Sequence, residues 1–228
     1  MVIAMFLWNF SRWLEKQEND STMDNNKKFW ERVARLYTPM HERSNSELYR
    51  KVNDRCVKYL NSMDKVLELA CGTGQFTFDL CRLTDSWEAT DYSEKMVGEL
   101  SKRIPKDIEG KITTSIQDAT ALPYEDESFD VVFMANALHV MPEPDKALSE
   151  ILRVLRPDGR LIVPTFVYEG GINRFRLWIL DKVGFKTYNE WTLAELETYL
   201  IRNGFKVVES EVIVGRLLPE GFVVCRKK

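Results

Sequence analysis

Apolar positions change their spacing along this chain, and the change divides it. From Lys27 onward Phe29, Trp30, Val33, Leu36 and Tyr37 recur every three or four residues, as on a helix with one apolar face. Pro39 predicts a break there, because it lacks an amide donor and crowds the preceding turn. A second helix from about Ser46 then carries Leu48, Tyr49, Val52, Cys56, Val57 and Leu60. Beyond it, short apolar runs alternate with helical stretches. Strands are predicted at 65–70, 86–91, 111–117, 129–135, 159–166, 205–214 and 219–226, and helices at 74–82, 93–104, 142–155 and 191–202.

Strands that alternate with helices need crossover connections, which make neighbouring strands parallel. The last two runs meet near Gly215 with no room for a helix, so they form a hairpin. The expected fold is α/β: a doubly wound seven-stranded sheet, mostly parallel with one antiparallel C-terminal strand, and helices on both faces. Residues 167–190 interrupt the alternation. Glu169, Gly170 and Gly171 form a joint before an apolar, arginine-bearing helix over Ile172–Val183. Tyr168, Phe175, Trp178, Phe185, Tyr188 and Trp191 surround it with aromatic surface, after a strand end where open α/β sheets bind ligands.

At the other end, Met1 to Leu14 is strongly apolar and gives way to a polar run from Glu15 to Asn26. The apolar stretch is too short to span a bilayer and lacks the basic and small-residue flanks of a secretory signal. Packing on the domain or on a second copy, or disorder, is favoured over an interfacial helix with Trp8 and Trp13 at a lipid surface. Met23 begins a plausible shorter chain. The expected organisation is an extension (1–22), N-terminal helices that cover the substrate (23–60), and a ligand-binding domain (61–228) with the insertion.

Composition narrows the chemistry. Of 228 residues, 44% are hydrophobic and 29% charged, with a net charge of −3, so no electrostatic footprint for nucleic acid exists. Four cysteines lack paired CxxC spacing, and His41 and His139 are the sole histidines, so no metal site is expected. Unpaired thiols fit a reducing cytoplasm.

The apolar run from Val66 ends in Glu68-Leu69-Ala70-Cys71-Gly72-Thr73-Gly74. The glycines let the main chain turn through positive φ and approach a ligand with no Cβ between, and the following helix aims its first amides at the same place. Asp91 ends the second strand 17 residues beyond Gly74, close to the spacing at which a carboxylate reaches ribose hydroxyls. It could instead cap the helix starting near Ser93. Asp118, after the third strand, can accept a bond from an exocyclic adenine amine or merely close a turn.

With Asp91-Tyr92-Ser93-Glu94-Lys95-Met96, Gln117-Asp118-Ala119, the segment from Leu122 to Asp130, Asn136-Ala137-Leu138-His139 and Ile151 to Ile162, the chain resembles class I S-adenosylmethionine-dependent methyltransferases of the small-molecule type. It is similar to the branch that includes the quinone-biosynthesis C-methyltransferases. The resemblance covers residues 60–166 strongly and the C-terminal third weakly. It implies a Rossmann-like sheet whose loop at Gly72 and Gly74 cradles the methionine portion of S-adenosyl-L-methionine, while Glu68 helps hold the amino group. Asp91 would bind the ribose, Tyr92 and Met96 the adenine face, and Asp118 with Ala119 its edge, beside Gln117 and Asn136. Tyr37 would close over the sulfonium. Gln75 stands where many relatives carry a third glycine.

Methyl transfer from a sulfonium is an in-line displacement that needs alignment and water exclusion more than a base. His139 is the candidate base for an acceptor that must lose a proton, against a local structural role. No Asn-Pro-Pro-Tyr tetrad follows the fourth strand, which disfavours methylation of nucleic-acid bases. A nicotinamide-dependent oxidoreductase and a non-catalytic S-adenosylmethionine-binding subunit remain as alternatives, the former weakened because residues 72–77 lack the full GxGxxG form. Phe29, Trp30, Tyr37, Tyr168, Phe175, Trp178 and Trp191, with Arg43, Arg174 and Arg176, are expected to face a small, largely apolar or aromatic acceptor, about half of these aromatics being core instead.

Overall fold

The computed structural model describes residues 22–169, 187–215 and 219–228, and within the first helix the side chains at 27–32, 34 and 46–56. Helix α1 (Thr22–Cys56) is continuous through Pro39, where a break was predicted. One proline removes one donor and leaves the ladder on either side intact. The C-terminal half of α1 buries Leu48, Tyr49, Val52 and Cys56, the three-four spacing read from the sequence.

After it come β1 (Lys65–Leu69), α2 (Thr77–Leu80), β2 (Ser86–Asp91), α3 (Glu94–Ser101), β3 (Ile112–Ile116) and β4 (Phe129–Met134). Then follow α4 (Pro144–Val154), β5 (Leu155–Ile162), β6 (Thr165–Phe166), α5 (Leu193–Arg202), β7 (Phe205–Ile213) and β8 (Glu220–Lys227). The helix expected from Gly74 is a single turn, α2, continued by a 3-10 turn at Cys81–Leu83. The helix starts have local causes. Ser93 accepts the Met96 amide at 3.3 Å, Pro144 occupies the first turn of α4, and Thr192 and Glu195 form a reciprocal capping box.

The sheet runs β3-β2-β1-β4-β5-β8, and β6 and β7 also pair with β8. It has eight strands where seven were expected, because the run at 159–166 divides at Pro164, which has no amide to donate. Among the described residues β8 alone is antiparallel to its partners, which makes the terminal hairpin. In register, Leu69 lies beside Thr90 and Met134, and Asp91 beside Ile116, so the first four strands end together.

Period-two alternation gives the central strands two buried faces. Val66, Trp87, Val131 and Phe133 pack under α1, α2 and α3, while Leu67, Leu69, Val132 and Met134 pack under α4 and α5. Arg153 of α4 clamps the loop before β4, donating to the carbonyls of Leu122 (2.9 Å) and Tyr124 (2.6 Å) and to Glu150 and Asp126. No described helix is long and apolar enough to cross a membrane. Residues 1–21 and 170–186, and with them the apolar extension and the insertion helix of the sequence reading, lie outside the described residues.

Phe133 is fully buried, its ring centre 5.6 Å from that of Phe76 and 6.2 Å from that of Trp87. Phe133→Ala is expected to cost about 3–5 kcal/mol of stability, read as a lowered denaturant midpoint at unchanged slope.

Candidate active site

The β1–α2 loop is built from left-handed residues: Ala70 at φ 55°, Gly72 at 57° and Gly74 at 94°. Glycine adopts these angles freely, whereas the Cβ of Ala70 makes its conformation strained by about 1–3 kcal/mol. A Cβ on Gly74 would lie 2.9 Å from the Phe78 ring, so that glycine also lets the helix turn close on the loop.

Asp91 ties the loop down. One carboxylate oxygen accepts the Gly72 amide at 2.9 Å and the other the Ser93 amide at 2.8 Å. The capping role weighed for Asp91 belongs to Ser93. Burial pushes Asp91 up to about 6, against the lowering effect of its two amide donors. Glu68 is 2% exposed and accepts the Trp87 indole N–H at 2.7 Å. Burial pushes it up to about 7, the Trp87 bond again opposing. Asp118 forms a local turn, one oxygen taking the Thr120 amide (2.8 Å) and hydroxyl (2.7 Å).

These groups meet in one cleft at the common strand ends, beside the point between β1 and β4 where the winding of the sheet reverses. Glu68, Gly72, Asp91, Tyr92, Met96, Gln117, Asp118, Ala119 and Asn136 all line it; Gly74 belongs to the loop but not to the wall. Asn136 is left-handed, φ 52°, at the end of β4. The Tyr37 and Arg43 side chains lie outside those described, as do Phe175, Trp178, Arg174 and Arg176.

Helix α1 supplies Lys27, Trp30 and Tyr49 to the same cleft. Lys27 Nζ stands 4.5 Å from the centre of the Tyr92 ring. Lys27 was missed in the sequence, although its position three residues before Trp30 places both on one helix face. Tyr49 and Phe76, also on the wall, meet edge to face at 4.9 Å. Ala70 gave no sequence signal, because its unusual backbone is imposed from outside.

His139 is not brought to this wall. It is 1% exposed, with Nδ1 2.8 Å from the Thr165 hydroxyl and its ring against Phe166. Burial pushes its pKa down to about 3, too weak a base to take a proton at neutral pH. Trp191, expected near the acceptor, instead stacks on Tyr199 at 4.8 Å beside the opposite core. The Tyr188 and Asn189 amides donate to the His139 carbonyl at 2.9 and 3.1 Å, which docks the end of the insertion on the loop after β4.

A family model described as a methyltransferase domain matches residues 67–163. The chain is 31% identical over 212 residues to the ubiquinone/menaquinone biosynthesis C-methyltransferase UbiE of Rhizobium etli, covering 84% of this chain and 78% of that one. It is 35% identical over 122 residues to a demethylmenaquinone methyltransferase of Clavibacter sepedonicus, covering 54% of this chain and 49% of the relative. The chain thus spans about half the length of that relative. A solved Thermotoga maritima structure, described as an S-adenosylmethionine-dependent methyltransferase and possible histamine N-methyltransferase, shares the fold. Its TM-score is 0.69 at 24% identity, over 88% of this chain and 99% of that one.

The chain belongs to the class I S-adenosylmethionine-dependent methyltransferases. S-adenosylmethionine is the cofactor this membership implies, and the cleft fits it: a glycine wall admits close approach, and a buried carboxylate, Glu68, with a half-buried one, Asp91, suits a cationic, hydroxyl-bearing molecule.

Glu68 binds its proton more tightly in the fold than at its ordinary 4.5, so its contribution to stability declines as pH rises from about 4.5 to about 7. Trp87→Phe removes the donor that supports the ionised form. The variant is expected to lose about 1–3 kcal/mol at pH 8 and less at pH 5, measured by chemical denaturation at both pH values.

Proposed function

We propose that this protein transfers the methyl group of S-adenosylmethionine to a small, largely apolar or aromatic molecule. The observation that carries the reading is the convergence of glycine loop, Asp91, Asp118 and Asn136 in one cleft whose further walls are Trp30, Tyr49 and Phe76. When bound, the cofactor supplies an activated methyl carbon. The loop at Gly72 and Gly74 receives its methionine portion and Glu68 its ammonium group. Asp91 takes the ribose hydroxyls, Tyr92 and Met96 flank the adenine, and Gln117, Asp118 and Ala119 read its edge. Tyr37 is assigned to cover the sulfonium. The aromatic side chains exclude water and align the acceptor, which is what an in-line displacement requires.

The quinone-biosynthesis relatives support a small-molecule acceptor. That both named relatives are methyltransferases favours this reading over the oxidoreductase. Residues 23–60 act in this reading as the cover of the site and 61–228 as the cofactor domain, in the cytoplasm and without nucleic acid as substrate. A methyl-transfer screen over phenols, quinones, thiols, amines and lipids, read as S-adenosylhomocysteine release, tests it. Activity on at least one small-molecule class is expected; robust methylation of protein or nucleic acid with none on small molecules overturns it.

The cofactor assignment makes a separate prediction. Asp91→Ala is expected to weaken S-adenosylhomocysteine binding by about 1.5–3 kcal/mol in calorimetry, with NAD not bound by either form. Ribose hydroxyls donate to the ionised carboxylate, so wild-type affinity falls as pH drops through about 6 and Asp91 takes up a proton, while the variant shows a shallower fall, from Glu68 alone.

A further inference from the structure

Glu220 has no part in the cofactor assignments, and its place is unusual. Because β8 runs antiparallel, its first residue lies where the parallel strands finish, paired with Phe166 of β6 and Ile213 of β7. Alternation puts Glu220 on the same face as Phe222 and Val224, which pack in the α1-side core with Tyr49 and Phe76 of the cleft wall. Glu220 is fully buried, and neither carboxylate oxygen has a hydrogen-bond partner among the described residues. The Asn136 side chain approaches it without completing a bond of normal geometry, and Asn136 Oδ1 is also buried and unpartnered. Asn136 itself lines the cofactor cleft, and Glu220 lies behind it rather than on the wall.

A buried carboxylate without donors is costly, and the fold has no use for one at a strand position that an apolar residue would fill. Two adjacent polar groups share the deficit, and both lack what a hydroxyl hydrogen supplies. We infer that Asn136 and Glu220 form the acceptor anchor: the hydroxyl of an aromatic acceptor passes Asn136 on the cleft wall to reach Glu220 behind it, and Glu220 takes its proton during methyl transfer. The inference rests on the methyltransferase reading above and deepens it.

The step balances. The O–H bond breaks and its proton goes to the Glu220 carboxylate. The electron pair left on the aryloxide, on oxygen or relayed to the adjacent ring carbon, forms the new bond to the methyl carbon as the carbon–sulfur pair goes to sulfur. In the ring-carbon case the ring hydrogen then leaves as a proton and the oxygen regains one. Burial pushes Glu220 up to about 7, which suits a group that takes and returns a proton near neutral pH. Cys56 of α1, which feels the Glu220 charge, stays a thiol because burial pushes it far up, so it does not compete for the role.

The test uses the full chain saturated with S-adenosylhomocysteine and two probes, 1-naphthol and 1-methoxynaphthalene. Wild type is expected to bind the naphthol about tenfold more tightly, the factor a hydrogen bond to a charged group supplies. Glu220→Leu should bring the two probes to within about twofold, with S-adenosylhomocysteine affinity unchanged. Glu220→Gln keeps the shape and should lower the single-turnover rate with S-adenosylmethionine and 1-naphthol about a hundredfold, with little change in KM. Infrared difference spectra on adding 1-naphthol should show a buried carboxyl band in wild type that is missing in Glu220→Gln. The inference is overturned by a wild type that treats both probes alike, by a Leu variant that keeps the preference, by a Gln variant with undiminished rate, or by a wild type without that band. A protein that methylates no small molecule fails the broader reading instead, which the acceptor screen registers separately.

Discussion

The bond from the Gly72 amide to the Asp91 carboxylate joins the ends of β1 and β2 and holds open the loop on which the cleft depends. Ala70, Gly72 and Gly74 all sit at positive φ, and two backbone bonds, from the Cys71 amide to the Thr90 carbonyl and from the Gly74 amide to the Cys71 carbonyl, hold the loop beside the Asp91 contact. Asp91 supplies an acceptor from the neighbouring strand and with its other oxygen fixes Ser93, which caps α3. One half-buried carboxylate thereby sets the glycine loop, the start of a helix and the polar floor of the cleft together. The strands beneath provide the rigidity, since β1 is flanked by β2 and β4 and buried on both faces.

Charge is the second constraint. Glu68, Asp91 and Glu220 are carboxyl groups held near the strand ends, and burial raises all three. Each gives up solvation that the fold replaces only in part: one indole donor for Glu68, two amides for Asp91, the approach of Asn136 for Glu220. A cofactor carrying an ammonium and a sulfonium restores favourable charge balance beside Glu68 and Asp91, so cofactor binding and the ionisation of those two carboxyls are linked. The strain of Ala70 and Asn136 in the left-handed region adds to this concentration of cost at the sheet edge, where binding can offset it.

Helix α1 serves two purposes along one length. Its later turns are core, Leu48, Val52 and Cys56 packing on the sheet, while Lys27, Trp30 and Tyr49 line the cleft. Tyr49 belongs to both, and its edge-to-face contact with Phe76 continues through Phe133 to Trp87, the donor to Glu68. The aromatic wall of the cleft is thus continuous with the core that positions Glu68.

Much of this was legible from local pattern. Alternating runs, the glycine pair, the acid at the end of β2 and the hairpin without room for a helix are properties of short segments, and periodicity reports short segments well. For the same reason the sequence determined which side chains line the cofactor cleft from Glu68 to Asn136: they follow consecutive strand ends, and parallel winding brings those ends together. Tertiary structure decided the rest. It carried α1 through Pro39, where one lost donor leaves the helix continuous. It split the strand at Pro164, and it turned His139 and Trp191 away from the cleft toward Thr165 and Tyr199. It also brought Glu220, 84 positions beyond Asn136, to face it, since only the antiparallel insertion of β8 returns the chain to that edge. Contacts between segments so far apart depend on strand order and register, which no local spacing encodes.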